Sequence, residues 1–215
     1  MRMLFARHGE ALRRRLDANR LHALLARTDL DDATMAREAE ALLAADDDAN
    51  EMAPNTGSGS DGHTPLLVAA RDGWVRVVEV LLAAGASLTR TDTYMRAHAA
   101  HKAAYNGHAE VLAALARHPD FGRIVDEQGP WNGYTALHDA VWHGHLDAAR
   151  MLVAAGARTD LRGHGGHRPL SLAQRFGYRE IVALLAWARR GVAASKLRAK
   201  VRNTGARPAA RAFAS

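Results

Sequence analysis

The chain has 215 residues, 48% of them hydrophobic but only 6% aromatic, with 29 basic and 23 acidic residues and no cysteine. The missing cysteine excludes disulfides and thiolate metal ligands, and no unbroken apolar run is long enough to span a bilayer. The net charge of +6 is local: residues 189–215 carry eight Lys or Arg and no acid, leaving 21 basic and 23 acidic residues in 1–188.

In chain order, residues 1–33 open with MRMLFARHGEALRRRL, which has arginines and some helical character. Glu10 and Asp17 interrupt the pattern of a mitochondrial presequence, and no secretory apolar core follows Arg2, so the segment reads as a helical, cytosolic start. Ala39, Leu42 and Leu43 then sit at helical spacing. The stretch MAPNTGSGSD before Gly62 is rich in Gly and Ser and reads as a mobile loop.

From Gly62 onward one string returns four times: GHTPLLVAARDG at 62–73, RAHAAHKAAYNG at 96–107, GYTALHDAVWHG at 133–144 and GHRPLSLAQRFG at 166–177. The copies start 34, 37 and 33 positions apart. A unit of about 33 residues cannot bury a core alone, so successive units must stack into a solenoid. In the first copy Thr64 caps a helix, Pro65 sits in its first turn, and Leu66, Ala69 and Ala70 face inward. Gly73 stops that helix. Val75, Val78, Leu81 and Leu82 form a second amphipathic helix, ended by Gly85–Ala86. The third copy repeats this with Thr135, Leu137, Ala140, Gly144, Leu152 and Gly156, and the fourth with Pro169, Leu172, Gly177, Ile181 and Leu185.

These in-phase copies of G-x-TPLH-x-AA-x-x-GH followed by VV-x-LL-x-x-GA resemble the ankyrin-repeat family from about Thr34 to Trp187. The resemblance implies an all-α ankyrin-repeat solenoid of stacked antiparallel helix pairs with projecting hairpin-like loops. The organisation expected is a helical segment at 1–33 and a repeat domain at 34–188. That domain has a degenerate first unit, whose AADDDAN turn at 44–50 puts Asp46 in the glycine place, then repeats near 62–95, 96–132, 133–165 and 166–188. Residues 189–215 are expected to be a basic, disordered tail. The second repeat should be the least regular. Arg96 replaces its turn glycine, at a cost on the order of 1 kcal/mol if the left-handed geometry persists, and His98-Ala99-Ala100 replaces the capping TPL. Its second helix should stop at Pro119, with HPDFGRIVDEQGPWNG forming a prominent loop.

No motif for catalysis stands in its proper context. GSGSDG at 57–62 satisfies GxGxxG, but no apolar strand precedes it. Asp46–Asp48 with Asn50 lacks the glycine and the bidentate carboxylate of a calcium loop. The pairs His143/His145 and His164/His167 have usable metal spacing without a carboxylate or Cys to complete a set. Within the resemblance, His101 and His138 hold the last TPLH position, where imidazole bonds backbone between layers, and His108 and His145 follow the turn glycine with the same kind of role. The serines sit in turns, loops or the TPLH slot, with no strained elbow to activate one. The expectation is therefore no enzyme, no cofactor and no metal.

In this family contacts concentrate on loop tips and the outward side of each first helix. In this chain those places hold Tyr94, Met95, Tyr105, Trp131, Tyr134, Trp142, His143, His164, His167 and Phe176. Six of the chain's 12 aromatics fall there, which points to a binding face for a protein partner centred on the second and third repeats. Packing between layers is the competing account, and it suits Tyr105 and Trp142 better than Tyr94, Trp131 and Tyr134. The function expected is protein–protein interaction by a cytoplasmic monomer with no membrane contact. The alternative is a nucleic-acid-associated regulator using the basic tail, which lacks interleaved aromatics as a platform for bases.

Overall fold

The computed structural model of the chain describes residues 20–45, 48–49 and 62–203, with side chains as far as residue 191. The loop at 51–61, the acidic turn around Asp46 and the tail beyond Asn203 lie outside the described residues, as does the segment before Arg20. Eleven helices and no strand occur among the described residues. They are α1 (Arg20–Leu25), α2 (Asp32–Ala44), α3 (Pro65–Asp72), α4 (Val75–Ala83), α5 (Ala99–Asn106) and α6 (Ala109–Ala116), followed by α7 (Phe121–Ile124), α8 (Ala136–Trp142), α9 (Leu146–Ala154), α10 (Pro169–Phe176) and α11 (Arg179–Asn203).

The helices form two layers. Helices α1, α3, α5, α8 and α10 stack in one row, and α2, α4, α6, α9 and α11 in the other, each first helix pairing with its own second helix. The core runs continuously between the rows through Leu66, Leu81, Ala103, Leu112, Leu137 and Leu172, all buried. The small inward residues Ala69, Ala70, Ala103, Ala104, Ala140 and Ala173 have essentially no exposed surface. Alanine at these places lets helices of adjacent units approach closely, so each unit shelters its neighbour's apolar face.

Local signals place the helix ends. Thr64 Oγ1 accepts from Leu67 N, and Thr135 Oγ1 accepts from His138 N while His138 Nδ1 accepts from Thr135 N. In the fourth unit Ser171 supplies the cap, accepting from Arg168 N at 2.9 Å. The turn glycines hold left-handed φ, and at several of them the next layer leaves no room for a side chain. A Cβ on Gly73 would meet the His108 ring, and one on Gly107 the His145 ring.

Three features differ from the plain reading of the sequence. The first unit starts earlier than Thr34: α1 packs on α2 and α3, so it is the missing first helix of that unit. The string LHAL at 21–24 carries the signal, because His22 Nε2 reaches the His63 carbonyl at 2.9 Å, as the later TPLH histidines reach theirs. Second, the expected prominent loop after Pro119 is partly core. Phe121, Ile124 and Val125, spaced as one helical turn, are buried in and beside α7, because three apolar side chains at i, i+3 and i+4 are worth more inside than out. Third, α11 runs past Arg189 to Asn203, so the basic extension starts as helix and not as disordered chain. No helix among the described residues is long and apolar enough to cross a membrane.

The second unit is irregular as expected. His98 makes no capping bond, its ring pairing instead with Glu127. Arg96 is the one non-glycine residue with positive φ among those described, at 51°. Arg96→Gly is therefore expected to raise stability by about 1 kcal/mol, read as a higher urea midpoint at unchanged slope. A lowered midpoint would mean that the Arg96 side chain contributes more than its backbone costs.

Candidate functional site

The first-helix row and the loops preceding it make one continuous face. Each loop is a finger closed by backbone bonds across its turn: Asp92 N to Ala97 O, Gly129 N to Tyr134 O, and Gly163 N to His167 O. Imidazoles then bolt unit to unit. His101 Nε2 donates to Tyr134 O at 3.3 Å and His138 Nε2 to His167 O at 3.2 Å. His108 and His145 reach back to the carbonyls of Arg71 and Tyr105. Burial lowers the pKa of His101 to about 4, helped by the neighbouring His98, and burial alone lowers His138 to about 4. Both rings are therefore neutral at physiological pH, and the Nε2–H tautomer is the one that fits their carbonyl partners.

On this scaffold the aromatic positions separate into two kinds. Tyr94, Trp131, Tyr105 and Trp142 are 75%, 65%, 54% and 43% exposed, far more than rings of their size usually are in a core. Met95 and Phe176 are exposed to a lesser degree. Trp131 is not loose: its Nε1–H donates to Tyr94 O at 3.2 Å, and the two ring centroids lie 6.0 Å apart. Its carbonyl accepts from His164 Nδ1, tying the next finger to it. Tyr105 lies 4.0 Å from the His143 ring, and Trp142 meets Phe176 edge to face at 5.0 Å.

Tyr134 behaves otherwise. It is half-buried, stacked on His138 at 5.1 Å and pressed against Gly163. The sequence suggests Tyr134 as a free loop residue and Tyr105 as a packing residue; the structure reverses the pair. The residue after the turn position is at least partly buried in every unit, as His63, Ala97 and His167 also show, and here it lies on the His138 ring. His164 is exposed at the fingertip and His167 is half-buried, its carbonyl accepting from His138 Nε2. The structure thus makes two ring groups, Tyr105 with His143 and Tyr134 with Trp142 and Phe176, with Tyr94, Met95 and Trp131 on the adjoining fingers.

Below these rings lies a groove of about 440 Å³ whose lining includes Met95, His101, Lys102, Tyr105, Tyr134 and Asp139. A neighbouring recess of about 300 Å³ is lined by Tyr105, Asn132, Tyr134, Asp139, Trp142 and His143. Two of these residues are not visible in the aromatic pattern. Lys102 and Asp139 hold the same place in successive units, directly after the TPLH histidine, where the first and fourth units have buried Val68 and Leu172. A charge at a place otherwise apolar is the signal that would have found them. Lys102 Nζ pairs with the buried Asp92 at 2.6 Å. Burial pushes the Asp139 carboxyl up to about 7, opposed only by the Lys102 charge.

A family profile described as "Ankyrin repeats (3 copies)" matches residues 95–163 and 126–196, and one described as "Ankyrin repeat" matches 61–93. The chain belongs to the ankyrin-repeat family. Among curated proteins it is similar to "Cyclin-dependent kinase 4 inhibitor B" from Homo sapiens, 32% identical over 136 residues, covering 63% of this chain and 93% of that one. It is also similar to "Cyclin-dependent kinase inhibitor 2A" from Homo sapiens, 33% identical over 135 residues, covering 62% of this chain and 83% of that one. A match to "Mitochondrial disaggregase" from Bos taurus, 34% identical over 113 residues, takes in 53% of this chain but only 16% of that much longer protein. The ankyrin repeats matched are the same units whose histidines and turn glycines build the stack described above.

Among the described residues no group of three or more His, Asp or Glu side chains converges as a metal site. Ring nitrogens of the two histidine pairs singled out by spacing are engaged elsewhere: His145 bonds Tyr105 O, and His164 bonds Trp131 O.

Proposed function

We propose that this ankyrin-repeat protein is a non-catalytic recognition module that grips a protein partner on the face made by its first helices and fingers, centred on the second and third repeats. One observation carries the reading: Tyr94, Trp131, Tyr105 and Trp142 are large rings left exposed together, and each is held by a neighbour. Rigid aromatics of this kind bury much area on binding with little loss of side-chain freedom. Two relatives matched over most of their own length are named as inhibitors of cyclin-dependent kinases, a role exercised on another protein. That supports recognition as the mode of action; it does not carry the kinase across as the partner.

Affinity capture followed by mass spectrometry, comparing the intact chain with a Tyr94→Ala/Trp131→Ala variant, tests this reading. Capture of the partner is expected to fall about tenfold or more, with the melting temperature nearly unchanged because neither ring is in the core. A variant that melts much earlier but captures normally would return both residues to packing and end the proposal.

A further inference from the structure

The recess under Trp142 has a composition that selects its occupant. Its six lining residues supply three large rings, one imidazole, one amide and one carboxylate, and no cation. The carboxylate is Asp139, on α8. Among the described residues no hydrogen bond and no ion pair reaches it. Asp139 is half-buried, and part of its surface opens to the recess. Lys102, at the matching repeat position on the neighbouring α5, would be its natural partner, but its ammonium is taken by Asp92.

A half-buried carboxylate without a partner is costly, and costs of this kind are retained where a ligand relieves them. An anion entering the recess would face Asp139. An apolar group would seal the carboxylate away unpaired. A metal ion would find one carboxylate where it needs several oxygens. A basic side chain meets a different reception: its charge pairs with Asp139, and its stem and head lie against the faces of Tyr105, Tyr134 and Trp142, as cation–π contacts require.

We infer that the recess between α5 and α8 receives a lysine or arginine side chain of the protein partner, with Asp139 as counter-charge and Tyr105, Tyr134 and Trp142 as its walls. This rests on the reading of the face as a protein-binding surface and names the chemistry of the partner segment that docks there. The charged and titratable groups around Asp139 are Lys102, His101 and Tyr105 on α5, Tyr134 on the finger and His143 at the end of α8, with Arg175 on the adjoining α10 close enough to act on Tyr134. Burial lowers the His143 pKa, with the neighbouring His145 adding to it, so that ring brings no competing charge at neutral pH. Arg71 also borders the larger groove, where it is paired with Asp72. Binding of a cation should therefore strengthen as pH rises through neutrality and Asp139 ionises.

The test uses the full chain and two pools of fluorescent ten-residue peptides, identical except that the central residue is arginine in one and citrulline, its neutral isostere, in the other. The arginine pool is expected to bind about tenfold tighter, with that preference growing between pH 6 and pH 8. Asp139→Asn, and Asp139→Ser as a second variant, should erase both the preference and its pH dependence while circular dichroism stays that of the parent. Equal or undetectable retention of the two pools, or a preference that survives both variants, overturns the inference. The two proposals fail separately. A partner lost with Tyr94→Ala/Trp131→Ala but held normally by Asp139→Asn removes the basic side chain and leaves the protein-binding face.

Discussion

Lys102→Met is expected to destabilise the protein by about 3 kcal/mol, because it strips the counter-charge from a carboxylate already inside the stack. Asp92 is 2% exposed, and Lys102 Nζ stands 2.6 Å from its Oδ2. Burial drives this carboxyl's pKa upward, yet Lys102, the Met95 N–H and His63 together outweigh burial and hold it below the usual value. Its other oxygen accepts from Met95 N, so the pair closes the first finger and pins it to α5. Methionine keeps the stem's packing but leaves the carboxylate buried without the ammonium.

The pH dependence follows from the sign of that shift. A carboxyl lowered in the folded state contributes stability above its unfolded pKa of about 4, and loses it as pH falls through the folded value. The gap between parent and Lys102→Met in urea denaturation should thus be full at pH 7 and shrink in acid. Adding Asp92→Asn to Lys102→Met should recover most of the loss, since the amide oxygen still accepts from Met95 N while no charge is stranded. A cost below about 0.5 kcal/mol at pH 7 would put the pair in the class of solvated surface bridges and remove it as the clamp of the first finger.

Asp139→Asn is expected to act in the opposite direction. Its carboxyl is held near 7 by burial, well above the ordinary aspartate value. The folded chain therefore binds a proton that the unfolded chain has released, and stability falls from about pH 4 up to about pH 7 before levelling off. At about 1.4 kcal/mol for each unit of pKa difference, the penalty at pH 8 is on the order of 2–4 kcal/mol. Asparagine carries no such penalty. The variant should match the parent at pH 4 and melt higher at pH 8, and equal melting at both values would show that the carboxyl is well solvated. A protein that keeps a destabilising group on its binding face, where asparagine would serve the fold better, fits a site shaped by what it binds. Loading the recess with a cation should then raise the parent's melting temperature and leave Asp139→Asn unmoved.

The repeat period made the layers legible before any coordinates. Burial in this fold recurs with the period, so Leu66, Leu137 and Leu172 each declare their own surroundings through the residues three and four places away. Turn glycines and the TPLH histidines are legible for the same reason, because each acts on a neighbour at a constant offset. Even the left-handed Arg96 follows from its alignment with Gly62, Gly133 and Gly166. The helix α1 was equally available in LHAL at 21–24, but a single short match without its turn carried too little weight beside four full copies.

Other features depend on the distance between units, which no period contains. Whether Tyr134 or Tyr105 stays in solvent depends on how the finger lies on α8 and its neighbours, where Tyr134 stacks on His138 and Tyr105 meets only the His143 ring. Whether Phe121 and Ile124 are loop or core depends on the space that insertion leaves beneath α6. Lys102 and Asp139 stand at one repeat position with opposite charges, and a pairing between them would look natural in one dimension. The stack decided otherwise: Asp92 comes in from the finger and takes the ammonium, leaving Asp139 unpaired in the recess. The chain's order of residues determined which surfaces must hide. The packing of one unit on the next determined which charges meet, because electrostatic partnership depends on ångströms in space and not on places in the sequence.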